Sequence, residues 1–174
     1  RLTKAVEEPL EIRIGGQAVA VLMRTPCEDF DLVAGFLYTE GMIRRPQDLG
    51  TLSYCATAQP PNLQNVVEVQ LSAGIAFDLE RFRRNFYATS SCGICGKATI
   101  EAIRAEAPAL VGEFHLRRAV LYTLDDKLRR AQAIFARTGS LHAAALFDLE
   151  GELLVLREDV GRHNAVDKVV GSFV

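Results

Sequence analysis

Alternation governs the start of the chain. In "LEIRIGGQAVAVLMR", Leu10 to Arg24, apolar and polar positions alternate up to Gly15-Gly16, and a second strand-like stretch follows the pair. That pattern predicts two strands joined by a tight turn. The period then changes. "TPCEDFDLVAGFLYTEGMI", Thr25 to Ile43, has Pro26 near its start, acidic residues in its first turn and Gly41 near its end. Leu32, Phe36 and Leu37 recur at helical spacing, so a helix is predicted. "AQPPNLQ" breaks the pattern at Pro60-Pro61, and "NVVEVQL" restores alternation, with Val67, Val69 and Leu71 on one face of a strand.

The second half repeats these signals. Residues 77–86 are mixed and basic, and read as loop with some helix. "KATIEAIRAE" predicts a short helix that stops by Pro108. "LRRAVLYTLDDKLRRAQAIFART", Leu116 to Thr138, carries the strongest helical period, through Val120, Leu124, Leu128, Ala131 and Ile134 or Phe135. Gly139 follows as a natural stop. "HAAALFDLEGELLVLRED" predicts a second hairpin turning at Glu150-Gly151. "GRHNAVDKVVGSF" predicts a last helix with an apolar stripe of Ala165, Val166, Val169, Val170 and Phe173. Strands and helices mix throughout, so the predicted class is α/β or α+β. No internal repeat or low-complexity segment interrupts the 174 residues.

Composition narrows the field. Hydrophobic residues at 49% and charged residues at 24% suit a soluble globular domain. A net charge of −2 gives no global field for nucleic acid or a membrane surface. No apolar run approaches the ~20 residues of a membrane span, and no signal peptide is visible. Basic residues cluster at Arg81, Arg83 and Arg84, at Arg117 and Arg118, and at Lys127, Arg129 and Arg130. They read either as solvated faces or as anion contacts. The chain begins at Arg1 without a methionine and ends in Ser172-Phe173-Val174, which gives the expectation of two cut ends and a missing C-terminal part.

Four cysteines are too few for a disulfide scaffold, and a reduced, cytosolic compartment is expected. Two of them sit in "TSSCGICGK", as Cys92 and Cys95, flanked by Gly93, Gly96 and Lys97. A cysteine pair at this spacing is a metal half-site, a redox dithiol or a nucleophile. Structural zinc needs two more ligands, and no second paired motif supplies them, so no zinc is expected. A thioredoxin-like dithiol belongs after an early strand, whereas this one follows a basic loop late in the chain.

Two further stretches carry chemistry. In "RTGSLHAAAL", a Thr138-Gly139-Ser140 turn can present backbone N–H groups to an anion beside His142. Equally, Gly139 reads as a plain helix stop and His142 as a satisfied histidine. In "REDVGRHNAVDKVVG", Arg162, His163, Asn164, Asp167 and Lys168 open an amphipathic helix. His163 and Asp167 are four apart, as are Asn164 and Lys168, so one polar face would carry a base, an amide, an acid and a cation. Helix-start amides plus Arg162 would suit a phosphate, with Glu158 and Asp159 partly opposing it. The plain alternative is a solvated face with a His–Asp pair.

Taken in order, "RTPCEDFDLVAGFLYTEGMI", "SSCGICGK", "FARTGSLHAAAL" and "EDVGRHNAVDKVVG" resemble the FdhD family of sulfurtransferases required for formate dehydrogenase maturation. The resemblance implies a cytidine-deaminase-like core, over residues 76–174, behind an N-terminal hairpin–helix–strand region over residues 1–75. It implies a cytoplasmic homodimer that takes persulfide sulfur from a cysteine desulfurase. The sulfur passes to the molybdenum or tungsten bis-guanine-dinucleotide cofactor before that cofactor enters formate dehydrogenase. Cys92 and Cys95 match the sulfur-carrying motif. Thr138, Gly139 and His142 match the glycine turn and histidine, and Gly161 to Lys168 match the charged helix start. Ser140 stands where the family commonly has a second glycine.

Two other readings stay in view. A zinc-dependent deaminase would need a glutamate two residues after its ligand histidine, but Ala144 holds that place and no cysteine follows. The other is a scaffold or chaperone for formate dehydrogenase that binds the cofactor without chemistry.

Overall fold

The Gly15-Gly16 pair turns the first hairpin, with φ of 57° and 78°, a left-handed pair that only glycines adopt cheaply. This computed structural model describes residues 4–75 and 112–174. The hairpin strands are β1, Glu8–Ile14, and β2, Gln17–Arg24. Helix α1, Asp29–Thr39, follows, then a single 3-10 turn at Pro46–Asp48. Strands β3, Leu49–Tyr54, and β4, Val66–Leu71, complete a four-stranded sheet in the order β2-β1-β4-β3. β1 pairs antiparallel with β2 and parallel with β4, and β3 pairs antiparallel with β4.

The sequence pattern left Leu49–Tyr54 unassigned for a physical reason. Gly50 lies in a register shift between Leu49 and Thr51, which breaks the alternation. A Cβ there would meet the Gln70 carbonyl oxygen at 2.7 Å, so the bulge needs glycine.

One face of this sheet and α1 enclose the main core. Leu10, Ile12, Val67 and Val69 from the strands meet Leu32, Val33, Phe36 and Leu37 from the helix. Every residue from Leu32 to Leu37 is buried, so α1 is covered on more than its sheet-facing side. The second cover is the last helix, α4, Arg162–Gly171. The two helices meet backbone to backbone. A Cβ on Gly35 would fall 1.8 Å from the Asp167 carbonyl oxygen, and one on Gly171 would fall 1.8 Å from that of Asp31.

The second hairpin forms as expected, from β5, His142–Phe147, and β6, Leu153–Asp159, in a separate two-stranded antiparallel sheet. Asp148 organises its turn by accepting the Glu150 and Glu152 N–H groups. Lys127 donates to the Gly151 carbonyl and pairs with Glu152, which ties the turn to helix α2, Arg118–Ala131.

The single long helix predicted over Leu116 to Thr138 is two helices. α2 ends at Ala131, and α3 spans Ala133–Thr138, with Gln132 between them at φ −72°, ψ 86°. Neither glycine nor proline marks this break. Glu158 on β6 causes it: its two carboxylate oxygens accept the Ile134 and Phe135 N–H groups at 2.8 and 2.7 Å. In an unbroken helix those amides would serve the carbonyls of Arg130 and Ala131. A buried carboxylate arriving from another element is invisible to periodicity.

The mixed α/β class holds. The expected elements at 77–86 and Lys97–Glu106 lie outside the described residues. Among the described residues, no helix is long and apolar enough to cross a membrane.

Candidate functional site

Two of the three chemical stretches fall on described residues, and they come close together at the end of the second hairpin. Cys92 and Cys95 lie outside the described residues. The first stretch builds an open cleft of about 690 Å³, lined by Phe135, Thr138, Gly139, Ser140, Leu141, His142 and Val160. Thus Thr138, Gly139 and His142 are brought together. Lys4, Ala5, Val6 and Glu7, just ahead of β1, form another wall. No sequence motif marked that segment, because four residues before a strand have no period to read.

The turn itself is a helix stop. Gly139 caps α3 in the left-handed conformation at φ 67°, and its N–H donates to the Phe135 carbonyl at 2.8 Å. Thr138 Oγ1 accepts the Ser140 N–H at 3.1 Å and lies 2.8 Å from the Ile134 carbonyl, to which it donates. The expectation that this turn offers its amides to an anion is therefore corrected at Gly139 and Ser140, whose amides are already bonded. Backbone strain does collect here: Leu141 has φ 102°, a region an L side chain seldom enters. His142 begins β5 and is exposed to the cleft rather than packed away.

The charged helix start is where the structure differs most from its sequence reading. Arg162 and His163 are exposed. Asn164 and Lys168, one row of the expected polar face, point inward instead, and both reach Asp159. Asp159 is wholly buried, and its carboxylate takes four donors. Oδ1 accepts the Gly161 N–H at 2.8 Å and the Asn164 amide at 2.9 Å. Oδ2 accepts the Thr25 N–H at 3.0 Å and pairs with Lys168 Nζ at 2.9 Å. Lys168, equally buried, also donates to the Thr25 carbonyl at 2.9 Å, and the Asn164 amide donates to the Met23 carbonyl at 2.8 Å. These are fold contacts. They lock the end of β6 and the start of α4 to the end of β2.

Asp167 turns the other way, toward α1, and accepts the Thr39 hydroxyl at 2.8 Å. Burial beside α1 pushes its carboxyl up to about 7; the Thr39 hydrogen bond opposes the rise and nearby Glu40 adds to it. The expected His163–Asp167 pair is replaced by this contact. Nor do Glu158 and Asp159 oppose an anion from the surface. Both carboxylates are buried and hydrogen-bonded, Glu158 to α3 and Asp159 to the start of α4, Lys168 and Thr25.

The basic cluster on α2 divides as well. Lys127 holds the hairpin turn, and the Arg129 guanidinium lies 3.6 Å over the Phe135 ring, which packs α2 onto α3.

Sequence reasoning missed one further cluster at the end of β2. Arg24, 1% exposed, makes a two-pronged pair with Asp29 at 2.9 and 2.8 Å, and Tyr54 donates to the same carboxylate at 3.1 Å. Between them Cys27 and Glu28 turn through φ of 127° and 50°. Two successive non-glycine residues at positive φ need such anchors on both sides. The only sequence signal was proximity of Arg24 and Asp29 around Pro26.

The model of the FdhD/NarQ family matches residues 5–174. The chain is 52% identical to the sulfur carrier protein FdhD of Mycolicibacterium paratuberculosis, over 97% of this chain and 64% of that protein. It is 49% identical to the protein of the same name from Streptomyces avermitilis, over 97% and 62%. It therefore spans somewhat under two thirds of the length of these relatives. A crystal structure from Desulfotalea psychrophila, of a candidate formate dehydrogenase accessory protein, superposes with a TM-score of 0.68 at 23% identity, over 98% of this chain and 59% of that one. The chain belongs to the FdhD/NarQ family.

Proposed function

We propose that this chain carries sulfur for formate dehydrogenase maturation, loading persulfide sulfur on the Cys92–Cys95 pair and delivering it to a molybdenum or tungsten bis-guanine-dinucleotide cofactor. The observation that carries the reading is the "SSCGICGK" motif in a chain half identical to proteins named sulfur carriers. The donor is a cysteine desulfurase. A thiolate of the pair attacks the sulfane sulfur of the donor's persulfide; a new S–S bond forms, the old one breaks, and the donor's cysteine leaves as thiolate. No outside oxidant or reductant enters this exchange. Lys97, two residues after Cys95 in the sequence, adds a positive charge that favours the anionic sulfur.

The cofactor is the acceptor and is a substrate, not a resident group. Its phosphates and guanines suit an open cleft with a cation and a histidine. Lys4, Thr138, Gly139 and His142 line that cleft, and Arg162 and His163 are exposed on the neighbouring helix start. Asn164 and Lys168 serve by holding the helix start, and Asp167 by contact with α1. Action in the cytoplasm, as a homodimer and without resident zinc, belongs to the same reading.

The test is mass spectrometry of the chain after incubation with a desulfurase and cysteine. The "SSCGICGK" peptide gains one sulfur, and replacing Cys92 and Cys95 together by alanine abolishes the gain. A wild-type peptide that never gains sulfur, in a chain that still binds guanosine diphosphate, overturns the carrier role and leaves a scaffold.

A further inference from the structure

Glu158 takes no part in sulfur chemistry, yet it is placed to control the cleft. It is 7% exposed, and its backbone pairs with Ala143, next to His142, across the β5–β6 ladder. Its two oxygens hold two amides of the first turn of α3, Ile134 and Phe135, at 2.8 and 2.7 Å. α3 has only six residues, and Gln132 at its start supplies no side-chain cap. A helix that short does not persist by itself, so its position depends on what grips it. Its far end, Thr138 and Gly139, lines the cavity, as does Phe135 at the gripped end.

Adjacent residues on a strand point to opposite faces. Asp159 therefore fixes α4 and the β2 end, while Glu158 fixes α3.

We infer that Glu158 is a positioning residue for the cleft: by gripping the N-terminus of α3, it sets the place of the Thr138–Gly139 turn relative to His142. The inference rests on the cleft's being the nucleotide side of the proposed function. Glu158→Gln keeps the shape but turns an N–H donor toward one of two N–H groups, and Glu158→Ala removes both acceptors. A control destabilised elsewhere separates positioning from simple loss of stability. Val69→Ala, in the core of the four-stranded sheet, serves.

The experiment measures the Kd for guanosine diphosphate and the melting midpoint of all four proteins. Glu158→Gln weakens binding about tenfold with the protein still folded, because a displaced wall misaligns every contact it makes. Glu158→Ala weakens it at least as much, and Val69→Ala lowers the midpoint with Kd unchanged. Wild-type Kd in folded Glu158→Gln and Glu158→Ala overturns the inference. So does an equal loss of affinity in Val69→Ala. If the wild-type chain does not bind guanosine diphosphate, the cleft reading fails instead. Positioning is then judged from the His142 ring resonance, which shifts in Glu158→Gln but not in Val69→Ala; an unshifted ring overturns it.

Discussion

The two halves of the described structure are held together by different means. Around the four-stranded sheet, burial is mostly apolar: Leu10, Ile12, Leu32, Leu37, Val67 and Val69 are all at or below 1% exposure, and the buried polar residues Arg24, Thr25, Asp29 and Asp48 are outnumbered. In residues 112–174 the buried apolar residues are Val120, Ala165 and Val169, whereas Gln132, Glu158, Asp159 and Lys168 are buried too. The first half is fixed mainly by area removed from water, which has no direction, with the Arg24–Asp29 pair as its directional anchor. The second is fixed by carboxylates whose donors have directions. A region that must hold an open cleft has little apolar surface to close upon itself, so hydrogen bonds to Glu158 and Asp159 set its geometry.

Breaking the polar hub should therefore cost as much as breaking the apolar core. Lys168→Met leaves the Asp159 carboxylate buried without its ion-pair partner, a loss of about 3–5 kcal/mol. Adding Asp159→Leu removes the unpaired charge but orphans the Thr25 and Gly161 N–H groups, so it recovers only the part of that loss that belongs to the ion pair. Urea unfolding of the two single variants and the double variant reads the recovery. Leu10→Ala in the first region costs about 2–5 kcal/mol through lost transfer energy and a cavity. No second substitution nearby reverses that without refilling the volume. If Lys168→Met costs less than about 1 kcal/mol, the distinction between the halves fails, since broken buried pairs cost several times that.

The seam between the halves is the next place to press. Gly171→Ala drives a methyl group onto the Asp31 carbonyl, 1.8 Å from the ideal Cβ. The backbone cannot yield as a side-chain tip does, so α1 and α4 must part, at about 1–3 kcal/mol or more. Gly15→Ala, where nothing lies within 4 Å, lacks that clash and loses only what its left-handed φ of 57° demands. Equal thermal midpoints for these two variants would refute a backbone-to-backbone seam.

This contrast also explains what could be read in the chain. Residues whose environment is apolar announce it by period, so β1, β2, α1, β4, β5, β6 and α4 were legible. The break at Gln132 was not, because its cause, Glu158, lies more than twenty residues downstream on another element. β3 was hidden by the bulge at Gly50. For the candidate site, the residue types were legible but not their directions. Thr138, Gly139 and His142 do share a cleft. Asn164 and Lys168 looked like a solvent-facing row because polar residues on a helix usually are one. Only the position of Asp159 reveals that this row faces inward, and the sequence had placed that carboxylate outside as an opponent of anions.

Asp167 gives the sharpest sign. Its carboxyl is raised in the folded chain to about 7, from 3.8, by burial beside α1. Below pH ~4 both folded and unfolded chains hold the proton and nothing is lost. Between about pH 4 and 7 the unfolded chain releases its proton while the folded chain keeps it, so stability falls as pH rises. Above 7 both are ionised, and the penalty is full and constant. Asp167→Asn keeps an acceptor for the Thr39 hydroxyl and removes the ionisation. Its melting midpoint should lie close to wild type at pH 4 and exceed it by several degrees at pH 8, since a rise of about three units is worth roughly 4 kcal/mol at most. A difference of the same size at both pH values would show that the seam between α1 and α4 responds to shape alone.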